Sequence, residues 1–266
     1  MHSIKMIVTD LDNTLLRNDK TISLYTKSML SKCLNHGFIL TFATARPERT
    51  TKKWALNDYS CYVIANNGAT IVSNTEIIYS VSIPNHEELI SLFVNDSSVN
   101  GLCVEVGGFQ YVNEAVYSTL KGTDDEGWNF VYHDFKTIVR EDVYKISVEC
   151  DDYNHMDVIM KRHPDLRLFP NNGESWYQIT HECVSKYNAI AHLAQLMNMS
   201  TKEIVAFGDD YNDMEMIEKC GIGIAVANAN NKVRAVADEI CGSNEDDGVA
   251  QWLQFNLLSG REVKTH

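Results

Sequence analysis

Four short apolar runs in this chain each stop abruptly at a cluster of polar residues. Residues 4–9 (I-K-M-I-V-T) lead into D-L-D-N-T, residues 38–43 (F-I-L-T-F-A) into T-A-R-P, residues 61–65 into N-N-G, and residues 204–207 into G-D-D-Y-N-D. A fifth run, 222–226, leads into A-N-A. Runs this short and this uniformly apolar suit parallel strands covered on both faces better than half-exposed antiparallel ones. A helical stretch over 23–36, closing at Gly37, follows the first run, and another over 186–197 precedes the fourth, so strand and helix alternate in the βαβ manner.

The middle of the chain follows a different pattern. After residue 83, E-E-L-I-S-L-F reads as a helix, and L-C-V-E-V-G-G-F-Q-Y-V reads as two strands joined at Gly107-Gly108, hence an antiparallel hairpin. A strand over 144–149, a helix over 154–162 and a second hairpin over 167–180, turning at Asn172-Gly173, complete an α+β segment. The expected fold is α/β: a Rossmann-like, mostly parallel sheet core formed by residues 1–83 and 184–266, with an inserted α+β domain at 84–183. A chain of 266 residues has room for both parts.

In open α/β sheets, ligands bind beyond the carboxyl ends of the strands. Those ends carry Asp10 and Asp12, Thr44 and Arg46, Asn66 and Asn67, and Asp209 and Asp213. Asp10 and Asp12, separated by one residue, repel each other unless a cation or a proton intervenes. A hard divalent cation such as Mg²⁺ suits such oxygen donors, and Asp209 adds a third acid from another strand end. The nine histidines are dispersed and no zinc-like His/Cys cluster is present. A formal charge of −13 disfavours nucleic acid and anionic membrane surfaces as partners, although a small anion can still bind beside a metal. Seven scattered cysteines, no secretory signal and no run of membrane-spanning length lead to an expectation of cytoplasmic residence.

D-L-D-N-T-L resembles the first motif of the haloacid dehalogenase superfamily, whose phosphatases carry D-x-D-x-T after the first strand. Thr44 in F-A-T-A-R-P resembles the second motif, Lys186 the third, and G-D-D-Y-N-D-M-E-M at 208–216 the fourth. The position of the insertion is similar to that in the Cof-type branch of sugar-phosphate phosphatases, in which it forms an α+β cap that sets substrate specificity.

The resemblance implies a phosphoric monoester hydrolase acting on a small phosphorylated metabolite of the sugar-phosphate kind. Asp10 would be the nucleophile, forming an aspartyl-phosphate. Asp12 would protonate the leaving oxygen and then deprotonate water, a task suited to a carboxyl with a raised pKa, while its backbone carbonyl faces the metal. Thr44, Asn212 and Lys186 would hold the phosphoryl oxygens. Mg²⁺ would be held by Asp10, Asp12 and Asp209, with Asp213 binding it directly, binding it through water, or orienting Lys186 instead. Arg46 and Asn67 are further candidates for substrate contact, Asn67 also opening an N-G turn. Trp128, Trp176 and Tyr177 either line a pocket or form core.

Three positions depart from the family pattern: Asn13 and Ala45 stand where glycine is usual, and Tyr187 follows Lys186. Asparagine tolerates positive φ; alanine at 45 is a problem if that position requires positive φ or a close backbone approach, and Tyr187 is placed to narrow the site. A phosphomutase, which shares the aspartyl-phosphate but excludes water, and a non-catalytic phosphometabolite sensor are the alternative readings.

Overall fold

The computed structural model describes residues 3–54, 61–74, 76–121, 127–170 and 175–259, and the chain divides into two compact units. The first comprises Met1–Arg46, Thr51–Ile78 and Ser185–His266. Its eight-stranded sheet has the order Glu239–Ile240, Ile222–Ala225, Ile204–Gly208, Met6–Thr9, Ile39–Ala43, Cys61–Ala65, Thr70–Ser73, Glu76–Ser80. Pairing is parallel from Glu239–Ile240 through to Cys61–Ala65 and turns antiparallel at Thr70–Ser73.

The expected parallel strands are present, and their burial explains their composition. Every residue of Met6–Thr9 and of Ile204–Gly208 is buried, so neither strand needs a polar face. Met6–Thr9 pairs with Ile39–Ala43 on one side and Ile204–Gly208 on the other, and the chain order runs outward in both directions from it. Asp10 therefore leaves the sheet at its topological switch point, where such sheets bind ligands.

Two helices fix the strand ends next to it. Ser23 caps Leu24–Asn35 by accepting from the Thr26 amide at 3.0 Å, the helix buries Met29, Leu30 and Cys33, and Gly37 ends it at φ +82. Ser185 caps Lys186–Leu196 through the Asn188 amide at 3.1 Å, and Ala189, Ile190, Leu193 and Ala194 form its buried stripe.

The second unit comprises Pro47–Thr50 and Tyr79–Val184. Its six-stranded sheet has the order Leu166–Pro170, Trp176–His181, Lys145–Cys150, Val99–Glu105, Gln110–Val112, Phe130–Tyr132, antiparallel except for its last, parallel pair. Both expected hairpins are present as antiparallel pairs; the turn at Asn172-Gly173 lies outside the described residues. Leu102, Val104, Ile146, Val148, Tyr177 and Ile179 point to one face and pack with Leu89, Ile90 and Phe93 of helix His86–Val94 and Met156 and Ile159 of helix Tyr153–Met160. Tyr177 is thus core. Trp176 is half-buried over Gly101, where an added Cβ would lie 2.6 Å from the indole, and Trp128 stacks on Phe130 at 6.0 Å between ring centroids. Among the described residues no helix is long and apolar enough to cross a membrane.

Candidate active site

The site begins where Met6–Thr9 ends. Asp10 is buried, and its Oδ1 accepts from Lys186 Nζ at 2.6 Å. The same ammonium donates to Asp213 Oδ1 at 2.7 Å. Lys186 opens its helix with 1 % of its surface exposed, so this lysine is no solvated surface group. Asp213 is fully buried, and its other oxygen accepts from the backbone amides of Asp209 and Asp210 at 3.0 and 3.1 Å. Asp213 thus holds Lys186 with one oxygen and closes the 209–213 turn with the other.

Two glycines make these approaches possible. Gly68 has φ +106, and a Cβ there would lie 2.2 Å from the Ser185 carbonyl oxygen, so the N-N-G turn can sit directly against the start of the Lys186 helix. At Gly208 a Cβ would meet the Asp213 side chain at 2.5 Å.

Asp10, Asp209 and Asp213 each offer a carboxylate oxygen, all within 4.8 Å of one another. Three acids share one ammonium. Burial raises the Asp10 pKa well above the ordinary carboxylate range, opposed by Lys186 and reinforced by Asp213 and Asp209. Burial, followed by repulsion from Asp213, pushes Asp209 up to about 7. Burial alone would lower Lys186, but Asp10 and Asp213 outweigh it and hold the amine charged. Asp209 is tied in place by Thr14 Oγ1 at 2.9 Å. The donor set is all oxygen, clustered and short of positive charge, which fits a hard divalent cation.

Asp12 sits differently. Its carboxylate takes Arg46 Nε on Oδ2 at 2.6 Å, and Arg46 Nη2 and Lys20 Nζ on Oδ1 at 2.9 and 2.8 Å. Burial would raise its pKa, but Arg46 and Lys20 outweigh that and lower it to about 2. This departs from the raised value expected for an acid/base, and the physical reason is the pair of cations. Asp12 also stands outside the carboxylate cluster of Asp10, Asp209 and Asp213.

The second and third strand-end loops are knit together. Thr44 is buried; its Oγ1 accepts from the Arg46 amide at 3.1 Å and its carbonyl from the Asn67 amide at 3.0 Å. Asn212 Nδ2 donates to Asn67 Oδ1 at 2.9 Å, bringing those two candidates into contact. Asn13 adopts φ 58, the left-handed backbone anticipated for it, with its carbonyl accepting from Asn228 Nδ2 at 2.7 Å. Ala45 is not in the left-handed region, so alanine carries no strain of that kind there. Tyr187 takes the Lys219 ammonium over its ring at 4.9 Å, Lys219 being the last residue of helix Met214–Lys219.

Sequence reasoning gave no role to Thr14 or Lys20. Thr14 had a signal, being the threonine of D-x-D-x-T. Lys20 had none: it sits in a loop, in the left-handed region at φ 62, and reaches Asp12 only through the fold.

A family model for haloacid dehalogenase-like hydrolases matches residues 7–253. The chain belongs to that family. As a haloacid dehalogenase-like hydrolase it is an enzyme, and the activity carried by its relatives is phosphoric monoester hydrolysis. It is similar to a protein of Haemophilus influenzae provisionally named a phosphatase, at 26% identity over 267 residues, covering 94% of this chain and 97% of that one. It is similar also to the 5-amino-6-(5-phospho-D-ribitylamino)uracil phosphatase YitU of Bacillus subtilis, at 24% identity over 94% of this chain and 96% of that one. A solved structure from Eubacterium rectale superposes with a TM-score of 0.85 at 23% identity, covering 96% of this hydrolase and 99% of that chain, and shows the same fold.

Proposed function

We propose that this hydrolase is a Mg²⁺-dependent phosphatase that removes phosphate from a small metabolite, of the sugar-phosphate class, through an aspartyl-phosphate on Asp10, in the cytoplasm. The observation that carries the reading is the cluster of Asp10, Asp209 and Asp213 around Lys186 at the sheet's switch point. An Asp10 oxygen attacks phosphorus and the P–O bond to the leaving group breaks. The leaving oxygen takes its proton from Asp12, after Asp12 exchanges a cationic partner, Arg46 or Lys20, for it. Water then attacks the phosphorus of the aspartyl-phosphate, passing its proton to Asp12, and the P–O bond to Asp10 breaks, restoring the Asp10 carboxylate and releasing inorganic phosphate.

Thr44, Asn212 and Lys186 hold the phosphoryl oxygens while charge redistributes, and Arg46 and Asn67 border the substrate. Mg²⁺ would be held by Asp10, Asp209, the Asp12 carbonyl and, directly or through water, Asp213; when bound, it neutralises charge on the phosphoryl group. Residues 84–183 act as the cap that selects the leaving group. The name of YitU supports a phosphorylated ribityl compound as one member of the substrate panel, beside hexose phosphates, pyridoxal phosphate and flavin mononucleotide.

The test is phosphate release from an aryl phosphate and from this panel, compared as kcat/KM, with acid quenching to capture phosphoryl-protein. Asp10→Asn should lose at least about a thousandfold in kcat, the scale seen when a covalent nucleophile is removed, and should trap no phosphate. Persistent turnover in that variant removes Asp10 from the role.

A further inference from the structure

Two cations hold Asp12, and they hold it differently. Arg46 places Nε on Oδ2 at 2.6 Å and Nη2 on Oδ1 at 2.9 Å, and its backbone is pinned on both sides, the amide on Thr44 Oγ1 at 3.1 Å and the carbonyl on the Asn66 amide at 2.9 Å. Both bonds of its planar fork must break for Arg46 to leave. Lys20 brings a point charge on a flexible stem to Oδ1 at 2.8 Å, and its side chain is 34 % exposed against 15 % for Arg46. Of the two, Lys20 is the partner that a leaving oxygen arriving at Asp12 can displace.

The loop behind Lys20 keeps a displaced ammonium close. Lys20 lies in the left-handed region at φ 62, a conformation that its surroundings must hold in a residue other than glycine. Its amide donates to the Arg17 carbonyl at 2.9 Å and the Arg17 amide to the Thr21 carbonyl at 3.1 Å, closing 17–21 into a turn. That turn is tied at its base, where Arg17 Nη2 donates to Asp247 Oδ2 at 2.8 Å and the Asn18 amide to Glu245 Oε1 at 2.6 Å. All of these groups belong to the first unit. With the backbone fixed, only the side-chain torsions of Lys20 can move, and the least swing that frees Oδ1 leaves the ammonium beside the leaving group. Drawn off its carboxylate in a partly buried position, the ammonium has lost its counter-charge, and a leaving group that brings an anion of its own restores the balance. Neutral hydroxyls can accept from the ammonium but carry no charge to balance it.

We propose that Lys20 is a specificity-determining residue: displaced from Asp12 by the leaving oxygen, it takes a carboxylate that the leaving group carries close to that oxygen, so that the preferred substrates are phosphate esters of hydroxy acids, the acid members of the sugar-phosphate class. Lys20 supplies charge and transfers no proton. Its role rests on the reading of Asp12 as the acid that protonates the leaving oxygen.

The test compares two esters that share a skeleton, 3-phosphoglycerate and glycerol 1-phosphate of the same configuration, which differ by a carboxylate in place of a hydroxymethyl group. Wild type should favour the acid about tenfold in kcat/KM, the lower end of what a hydrogen bond between charged groups returns. Lys20→Met should abolish that preference, Lys20→Arg should keep most of it, and Lys20→Glu should invert it. An ester that binds without turning over is read by its competition with an aryl phosphate, as the ratio of the two inhibition constants. Absence of the preference in wild type overturns the proposal. So does a preference that survives Lys20→Met, including an equal loss on both esters, which leaves Lys20 as an anchor for Asp12. The reading beneath is tested apart: aryl phosphate turnover that vanishes in Asp10→Asn, without any preference for the acid, defeats the role of Lys20 alone. If Asp12→Asn turns over glycerol 1-phosphate at the wild-type rate, or if wild type releases phosphate from no ester, that reading fails and the proposal falls with it.

Discussion

The ammonium of Lys186 donates to Asp213 at 2.7 Å with both side chains 1 % exposed, so this pair is sealed from water although it lies at the end of a loop-bearing strand. Water cannot screen either charge, and each depends on the other. Since Asp213 also accepts two backbone amides, the lysine is tied to the turn that carries Asp209.

Lys186→Met should therefore cost stability as well as activity. It leaves the Asp10 and Asp213 carboxylates buried without their shared cation, a loss of about 3 to 5 kcal/mol by the usual penalty for breaking a buried pair. Asp213→Asn should cost less, because an amide oxygen can still accept from the Asp209 and Asp210 amides. Urea unfolding of the two variants checks the order; a Lys186→Met protein as stable as wild type would contradict the sealed arrangement.

Gly68→Ala tests the close approach behind the site. A Cβ at that position would lie 2.2 Å from the Ser185 carbonyl oxygen in a backbone at φ +106. The turn must back away from the Lys186 helix, at a cost of roughly 2 kcal/mol or more for strain at a left-handed position. Thermal unfolding should fall, and kcat should fall with it because Lys186 is the first residue of that helix. Loss of stability with full kcat would show that Lys186 is placed by its ion pairs alone.

The parallel strands that were readable in the sequence share one property: they are almost wholly buried. Met6–Thr9, Cys61–Ala65 and Ile204–Gly208 are apolar because both faces are covered, and the polar residues at their ends stand out for that reason. Strand Glu76–Ser80 was not anticipated: it is a sheet edge that exposes Ile77 and Ile78, and no alternation marks it. Helix Glu114–Leu120 buries no side chain and so shows no periodic stripe. Within the site, residue types at strand ends could be read, but their partners could not. Asp12 is held by Arg46 from another strand end and by Lys20 from an irregular loop, contacts that only the folded sheet creates. Tyr187 adjoins Lys186 in sequence, yet successive helical side chains diverge by about 100°, which carries its ring toward Lys219.

Acid sensitivity should have a traceable contribution from the second unit. Asp96 accepts from His155 Nε2 at 2.5 Å and from the Ser98 hydroxyl and amide at 2.7 and 3.0 Å. Burial is the largest single influence and raises its pKa, but these partners together outweigh it and bring the value below that of a free aspartate. A carboxylate with a depressed folded pKa contributes stability above its unfolded pKa and loses it as pH falls through the folded one. The stability gap between wild type and Asp96→Asn should thus be present at about pH 5 and shrink by about pH 3, read as urea midpoints at each pH. A gap that is constant across that range would show that Asp96 contributes through hydrogen bonds alone, independent of its charge.

The crowding of acids around Asp209 predicts how the folded protein responds to a cation, independently of turnover. Asp10, Asp209 and Asp213 lie within 4.8 Å of one another with one lysine among them, and both Asp10 and Asp209 are pushed toward protonation by burial and by the Asp213 charge. A divalent cation that binds the folded state and not the unfolded one stabilises it by mass action, about 2.7 kcal/mol at a hundredfold excess over its Kd. Wild type should therefore unfold at a higher temperature in Mg²⁺ than in a chelator. In Asp209→Asn, which removes one donor and relieves part of the repulsion, the shift should shrink or vanish, while the metal-free protein should be as stable as wild type or more so. A Mg²⁺ shift of equal size in both proteins would place the cation away from Asp209.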